Sequence, residues 1–168
     1  MKQVAILLLM ALMLDGCSSS TKTLQSTTTG IFQAVMYGGI GEASGFSFIT
    51  DFALNGDDTL NISSFQFLTE NSINNSPCFP INGGTVSGVI ADYVVNTDDT
   101  VTGNLTYIVK SGGNILTLTG VLQGTATVTG APPNTQTVFT SATVSGNWTL
   151  TGGTGCTDAG GSFTMTQS

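Results

Sequence analysis

The 168-residue chain has no histidine, no arginine and only three lysines. Ten acidic residues give it a formal net charge of −7, and charged side chains amount to 8% of the sequence. Each shortage removes a class of function. With so few cations there is no surface to neutralise phosphates, so no nucleic-acid partner is expected. Without histidine there is no Ser-His-Asp triad, no Cys-His dyad and no conventional zinc site. Without arginine there is no bidentate clamp for a carboxylate or a phosphate. Helical periodicity is missing too: from Ile31 onward no segment sustains it. The length is that of one domain. The expectation is a protein that is not an enzyme and carries no cofactor.

The N-terminus holds a different signal. Met1-Lys2-Gln3 carries one positive side chain, and Val4 to Leu14 follows as eleven residues without a polar side chain. As a helix that run is only ~16 Å long, about half of a ~30 Å hydrocarbon core. It is too short to span and reads as the apolar region of a cleaved secretion-signal helix. The next residues, Leu14-Asp15-Gly16-Cys17, resemble the lipobox of bacterial lipoproteins. The resemblance rests on Leu14, Gly16 and Cys17 and says nothing about the rest of the chain. It implies cleavage before Cys17, a diacylglycerol on the cysteine sulfur and a further acyl group, such as palmitate, on the new N-terminus. Several acyl chains give firm anchoring where one alone is marginal. Ser18 after the cysteine is similar to the pattern sorted to the outer membrane in a host with two membranes. The resemblance thus gives a signal peptide over 1–16 and a lipidated Cys17; the Ser/Thr-rich composition that follows reads as a flexible tether, 17–30 with the cysteine, and the remainder, 31–168, as one β domain. The implied partner is the membrane, reached through the lipid anchor.

Cys78 and Cys156 remain once Cys17 is set aside. An even pair in an exported chain reads as a disulfide. The loop it closes is long, so chain entropy allows a ceiling of roughly 4–5 kcal/mol. A redox or catalytic thiol is the alternative, but no histidine or arginine is present to activate it and there is no Cys-x-x-Cys pair.

From Ile31 onward, alternation dominates. Phe46, Phe48, Phe52 and Leu54 share one face, with Ser47, Asp51 and Ala53 opposite. Val101, Leu105, Tyr107 and Val109 form a second such face, and Val138, Ala142, Val144, Trp148 and Leu150 a third. One buried and one wet face per strand is the habit of antiparallel sheets. Between Leu60/Ile62 and Phe65/Phe67 the apolar phase flips across Ser63-Ser64, which predicts a β-bulge. The ten residues Asp51–Leu60 echo Asp92–Val101, with five identical positions. Both copies place Asn-x-Asp-Asp between alternating runs, which is hairpin-turn chemistry. Ser111-Gly112-Gly113-Asn114 and Pro132-Pro133-Asn134 read as further turns. The expected fold is all-β: one antiparallel meander of about eight to ten strands, closed or nearly closed into a barrel, with a two-sheet sandwich as the runner-up. A transmembrane barrel would need a continuous apolar outer band, and the second face here is Thr, Ser and Asn.

Reactive side chains are few. Lys110, the one lysine beyond the tether, falls on an outward face and reads as a surface charge. Asp57, Asp58, Asp98 and Asp99 are weak candidates for calcium, which favours several loop oxygens, but they lack regular acidic spacing and read first as solvated turn tips. Trp148, with Tyr37, Tyr93 or Tyr107, could form a sugar-stacking platform, yet its phase with Val144 and Leu150 favours the core. The leading expectation is a lipid-anchored envelope protein whose domain binds or supports an envelope protein or surface polymer. One alternative is a lipocalin-like carrier of a small apolar ligand, using space beside the inward Gly103, Gly120, Gly124 and Ala126. The other is a calcium-dependent surface adhesion module.

Overall fold

The alternation is realised as strands in a computed structural model, which describes residues 27–38, 46–68, 84–131, 135–152 and 159–168. Eight strands are seen among them: β1 (Thr27–Gly38), β2 (Ser47–Leu54), β3 (Leu60–Phe67), β4 (Thr85–Val95), β5 (Thr100–Ser111), β6 (Asn114–Thr129), β7 (Gln136–Thr151) and β8 (Ala159–Gln167). They form one sheet in the order β3-β2-β1-β8-β7-β6-β5-β4. This is a meander curled until its first and last strands meet. β1 pairs antiparallel with β8 from Phe32↔Gln167 to Gly38↔Gly161. The remaining gap lies between β3 and β4, where a single bridge, Thr59↔Val89, nearly closes the barrel. The result is the barrel expected from the sequence, and not a sandwich of two sheets.

The turns follow from their residues. Asn55 to Thr59 is a three-residue hairpin loop: Asp58 N–H donates to the Asn55 carbonyl at 3.1 Å, and Asn55 N–H donates to the Thr59 carbonyl at 2.8 Å. Asp58 takes the left-handed conformation, with φ of 69°, that this loop type needs at its last position. The echo segment repeats it, with Asp99 at φ 63° and the same two bonds from Asp99 and Asn96. The likeness extends to the neighbouring strand. Ile90 N–H donates to the Asp58 carbonyl and Ala126 N–H to the Asp99 carbonyl, each at 2.9 Å. The β3–β4 seam is thus pinned by the same bond that continues an unbroken ladder at β5–β6. Gly112 and Gly113, at φ 57° and 87°, make the two-residue turn between β5 and β6.

Bulges bend the strands into a closed wall. On β3, Ser64 faces Asp51 and Ile62 faces Phe52, which leaves Ser63 as the extra residue predicted by the phase flip. Its hydroxyl donates to the Asp51 carbonyl at 3.1 Å. On β7, Ser141 faces Thr125 and Phe139 faces Ala126, so Thr140 is extra. This corrects the expected face of β7. Ala142, Val144, Trp148 and Leu150 are buried, but Val138 is 38% exposed, while Thr137 and Phe139 turn inward. A bulge on β1 leaves Thr29 between the pairs Thr28↔Ala53 and Gly30↔Phe52. Thr29 is buried and its hydroxyl donates to the Phe52 carbonyl. Thr27 to Gly30, assigned to the tether by composition, therefore belong to the first strand.

Aromatic side chains fill the interior. Phe32 stacks on Phe52 with ring centroids 4.9 Å apart, Phe48 on Tyr107 at 5.7 Å, and Phe46 meets Trp148 edge-on at 5.1 Å. Such pairs contribute about 0.5–1.5 kcal/mol each beyond their area burial. The buried Tyr107 hydroxyl is satisfied by Thr50 Oγ1 at 2.6 Å, and Thr50 also bonds the Ser64 carbonyl at 2.9 Å. Where β8 runs out, the Gln167 amide stitches its neighbours together, donating to the Thr29 carbonyl at 2.8 Å and the Phe139 carbonyl at 3.1 Å.

Trp148 spans a strand. Its Nε1 donates to the Tyr37 carbonyl on β1 at 3.0 Å, crossing β8 at Gly161. A Cβ at Gly161 would lie 1.9 Å from the Tyr37 oxygen and 2.9 Å from Trp148 Nε1. Only glycine lets the three strands approach this closely. Gly161→Ala is therefore expected to lower stability by about 1–3 kcal/mol, the usual cost of overpacking. Denaturant unfolding followed by the fluorescence of Trp148 checks this; an unchanged midpoint would show that the close approach does not exist.

Candidate functional site

The two Asp-Asp turns are held by their own side chains. Asp57 Oδ1 accepts from Thr59 N–H at 3.1 Å and from Thr59 Oγ1 at 2.6 Å. Asp98 accepts from Thr100 at 3.2 Å and 2.6 Å in the same way. Asn55 and Asn96 amides donate to the same threonine hydroxyls at 3.0 Å and 2.9 Å. These bonds favour the ionised carboxylate and hold Asp57 and Asp98 below the usual range, with the threonine hydroxyl as the largest cause. The four calcium candidates do not converge: no group of three or more Asp, Glu, His or Cys side chains suited to a metal occurs among the described residues. Asp57 and Asp98 act as clasps for their turns.

The other shifted groups move the opposite way. Burial pushes the Tyr107 hydroxyl well above its ordinary range, against the lowering effect of Thr50. Burial also raises Tyr93, whose ring lies 6.0 Å from that of Phe139. Each shifted group is thereby held more firmly in its ordinary state at neutral pH. General acids and bases are tuned in the other direction, toward the working pH. Trp148 is 1% exposed and Tyr107 fully buried, so both are core residues, and Lys110 is exposed on β5. Cys17, Cys78 and Cys156 lie outside the described residues, as do the signal segment and Pro132-Pro133-Asn134.

At the glycines expected to leave room for a ligand, an added Cβ would meet close neighbours. A Cβ on Gly103 would meet Ile90 Cγ2 at 2.5 Å; on Gly120 it would meet the Ser145 carbonyl at 2.7 Å and Phe163 Cζ at 3.0 Å; on Gly124 it would meet the Ser141 carbonyl at 2.2 Å. Ala126 is itself 1% exposed within the core. The close neighbour is the Ile90 side chain at Gly103, the β7 backbone and Phe163 at Gly120, and the β7 backbone and Ala142 at Gly124.

A concave feature occurs on the outside of the barrel. It is a hollow of about 210 Å³ over the β1–β8 junction, lined by Gln33, Val35, Tyr37, Thr164 and Thr166. Gln33 faces Thr166, and Val35 faces Thr164, across the ladder. Sequence reasoning considered Tyr37 only as a helper to Trp148 and missed the other four. Their alternation is visible within each strand, but nothing local reveals that the two ends of the chain are neighbours. Comparison with protein-family models, with curated proteins and with solved structures finds no match for this chain.

Two outcomes follow from the clasps. Asp57 and Asp98 are depressed in the folded state, so their contribution is present above the unfolded carboxyl pKa and is lost as pH falls through the lower folded value. The melting temperature should therefore fall on acidification below about pH 4, and the Asp57→Asn/Asp98→Asn double variant should flatten this acid limb. An unchanged limb would remove the clasp role. Calcium and a chelator should give the same melting temperature at neutral pH, and a clear rise with calcium would restore a metal role for these turns.

Proposed function

We propose that the chain is a lipid-anchored protein of the bacterial cell envelope, held by Cys17, whose β domain binds or supports another envelope component without catalysing a reaction. The packed interior is the observation that carries the non-carrier half of this reading. An eight-stranded barrel can either fill its lumen with side chains or hold one small ligand; the buried Phe, Tyr and Trp rings that pack on one another support the first. Among the described residues, the shifts at Asp57, Asp98, Tyr93 and Tyr107 all lead away from neutrality, which is in keeping with the non-enzymatic half.

The placement of the first strand suits an anchor. β1 begins at Thr27, which pairs with Leu54 directly before the Asn55–Thr59 turn. The chain therefore reaches the barrel at the rim that carries the Asp-Asp turns. Residues 18 to 26 span at most about 30 Å when extended. Repulsion between Asp57, Asp58, Asp98 and Asp99 and anionic headgroups acts over about 8–10 Å in physiological salt. It would hold this rim off the lipid and leave the outer wall and the opposite rim for contacts. The strands flanking Cys78 and Cys156 end at that opposite rim, which suits one disulfide between them. Ser18 supports outer-membrane sorting where the host has two membranes.

Metabolic labelling with a fatty-acid analogue and membrane fractionation test the anchor. The native chain should carry label and sediment with membranes, whereas Cys17→Ala should lose the label and keep its signal segment. An unlabelled native chain would refute the reading.

A further inference from the structure

We infer that the hollow over the β1–β8 junction is a binding site for a neutral saccharide, with Tyr37 as its stacking platform. This deepens the surface-polymer form of the proposed function and rests on it for its biological setting, though not for its physical argument.

Tyr37 is 53% exposed, the highest value among the exposed large apolar side chains of the described residues. The ring stands in water, yet its backbone is fixed: the Tyr37 carbonyl accepts Trp148 Nε1 at 3.0 Å from inside the barrel, and Gly161 is pressed against it. The backbone that carries the platform is thus fixed to the core before any ligand arrives, which leaves only the ring's own rotamers to be ordered on binding. An exposed aromatic face offers contact to the C–H face of a sugar ring while water keeps access to the sugar hydroxyls.

The rest of the lining is complementary to such a ring. The Gln33 amide supplies donors and an acceptor, and the Thr164 and Thr166 hydroxyls can each donate and accept, as sugar hydroxyls do. Val35 adds an apolar patch between them. Gln33 and Tyr37, four positions apart on one strand, are about 13 Å apart along it. At about 210 Å³ the hollow is smaller than the roughly 300–1,000 Å³ typical of drug-sized ligands, so it suits one or two sugar rings. No lining residue is charged. The chain carries a net −7, and Asp51 lies on the neighbouring strand opposite Ile31. A uronic or phosphorylated sugar would be repelled, which leaves a neutral one.

Affinity electrophoresis of the full-length, detergent-solubilised protein tests the site. The gels would contain dextran, laminarin or galactomannan as neutral polymers and polygalacturonate as an anionic one. The native protein should be retarded by at least one neutral polymer and not by polygalacturonate. Tyr37→Ala should weaken that retardation by about tenfold or more, equivalent to about 1.4 kcal/mol, while Tyr37→Trp preserves it. Gln33→Ala is the second variant, expected to weaken retardation less. Both alanine variants should melt close to the native temperature, because the changed side chains are exposed. Absence of retardation by every neutral polymer, retardation indifferent to Tyr37→Ala, or retardation confined to polygalacturonate would each overturn the site. A lipidated protein that ignores sugars would lose this inference alone, and a sugar-binding protein without lipid would lose only the anchor.

Discussion

Everything in this fold depends on the ladder between the first and last strands. Eight strands of alternating character have one apolar face each, and a flat sheet would leave that face in water. Curling the sheet until Phe32–Gly38 meets Gly161–Gln167 turns that face into an interior and removes two of the edges that invite aggregation. The contacts involved are the most non-local the chain can make. Their loop-closure cost is offset only when the enclosed face is large and well filled.

Filling the lumen dictates much of the sequence. Aromatic rings meet across the barrel, and glycines sit where a neighbouring strand or ring comes close. The Trp148–Gly161–Tyr37 arrangement links this packing to the surface. A buried indole satisfies its N–H on a carbonyl whose own side chain points to solvent, so the same residue belongs to the core by its backbone and to the outer wall by its ring. The β3–β4 seam is the weaker counterpart. It is pinned near the Asp58 turn and lacks the long register that joins the other neighbours. Local opening should begin there and not at the β1–β8 ladder.

Much of the fold was legible because period-two patterning is a local property. The Phe46–Leu54 face, the Ser63 bulge and the paired Asn-x-Asp-Asp turns all show in short windows. The Thr140 bulge did not, because Val138 and Thr140 alternate with Thr137 and Phe139, and β-branched residues suit either face. The start of β1 was hidden for a related reason: composition counts Thr27 and Thr29 as polar, whereas both are buried and Thr29 is satisfied by the Phe52 carbonyl. The acidic turns could be found from sequence, but their role as clasps required the geometry of Thr59 and Thr100. The outer hollow was not legible at all, since Gln33 and Thr166 become neighbours only when the barrel closes.

Amide hydrogen exchange resolved by residue tests the closure most directly. The ladder amides of Phe32–Gly38 and Gly161–Gln167 should exchange as slowly as those of β6 and β7, through unfolding of the whole domain, with faster exchange along the facing edges of β3 and β4. Exchange of the β1 and β8 amides orders of magnitude faster than that of β6 and β7 would show an open sheet, and the account built on the closed barrel would fail.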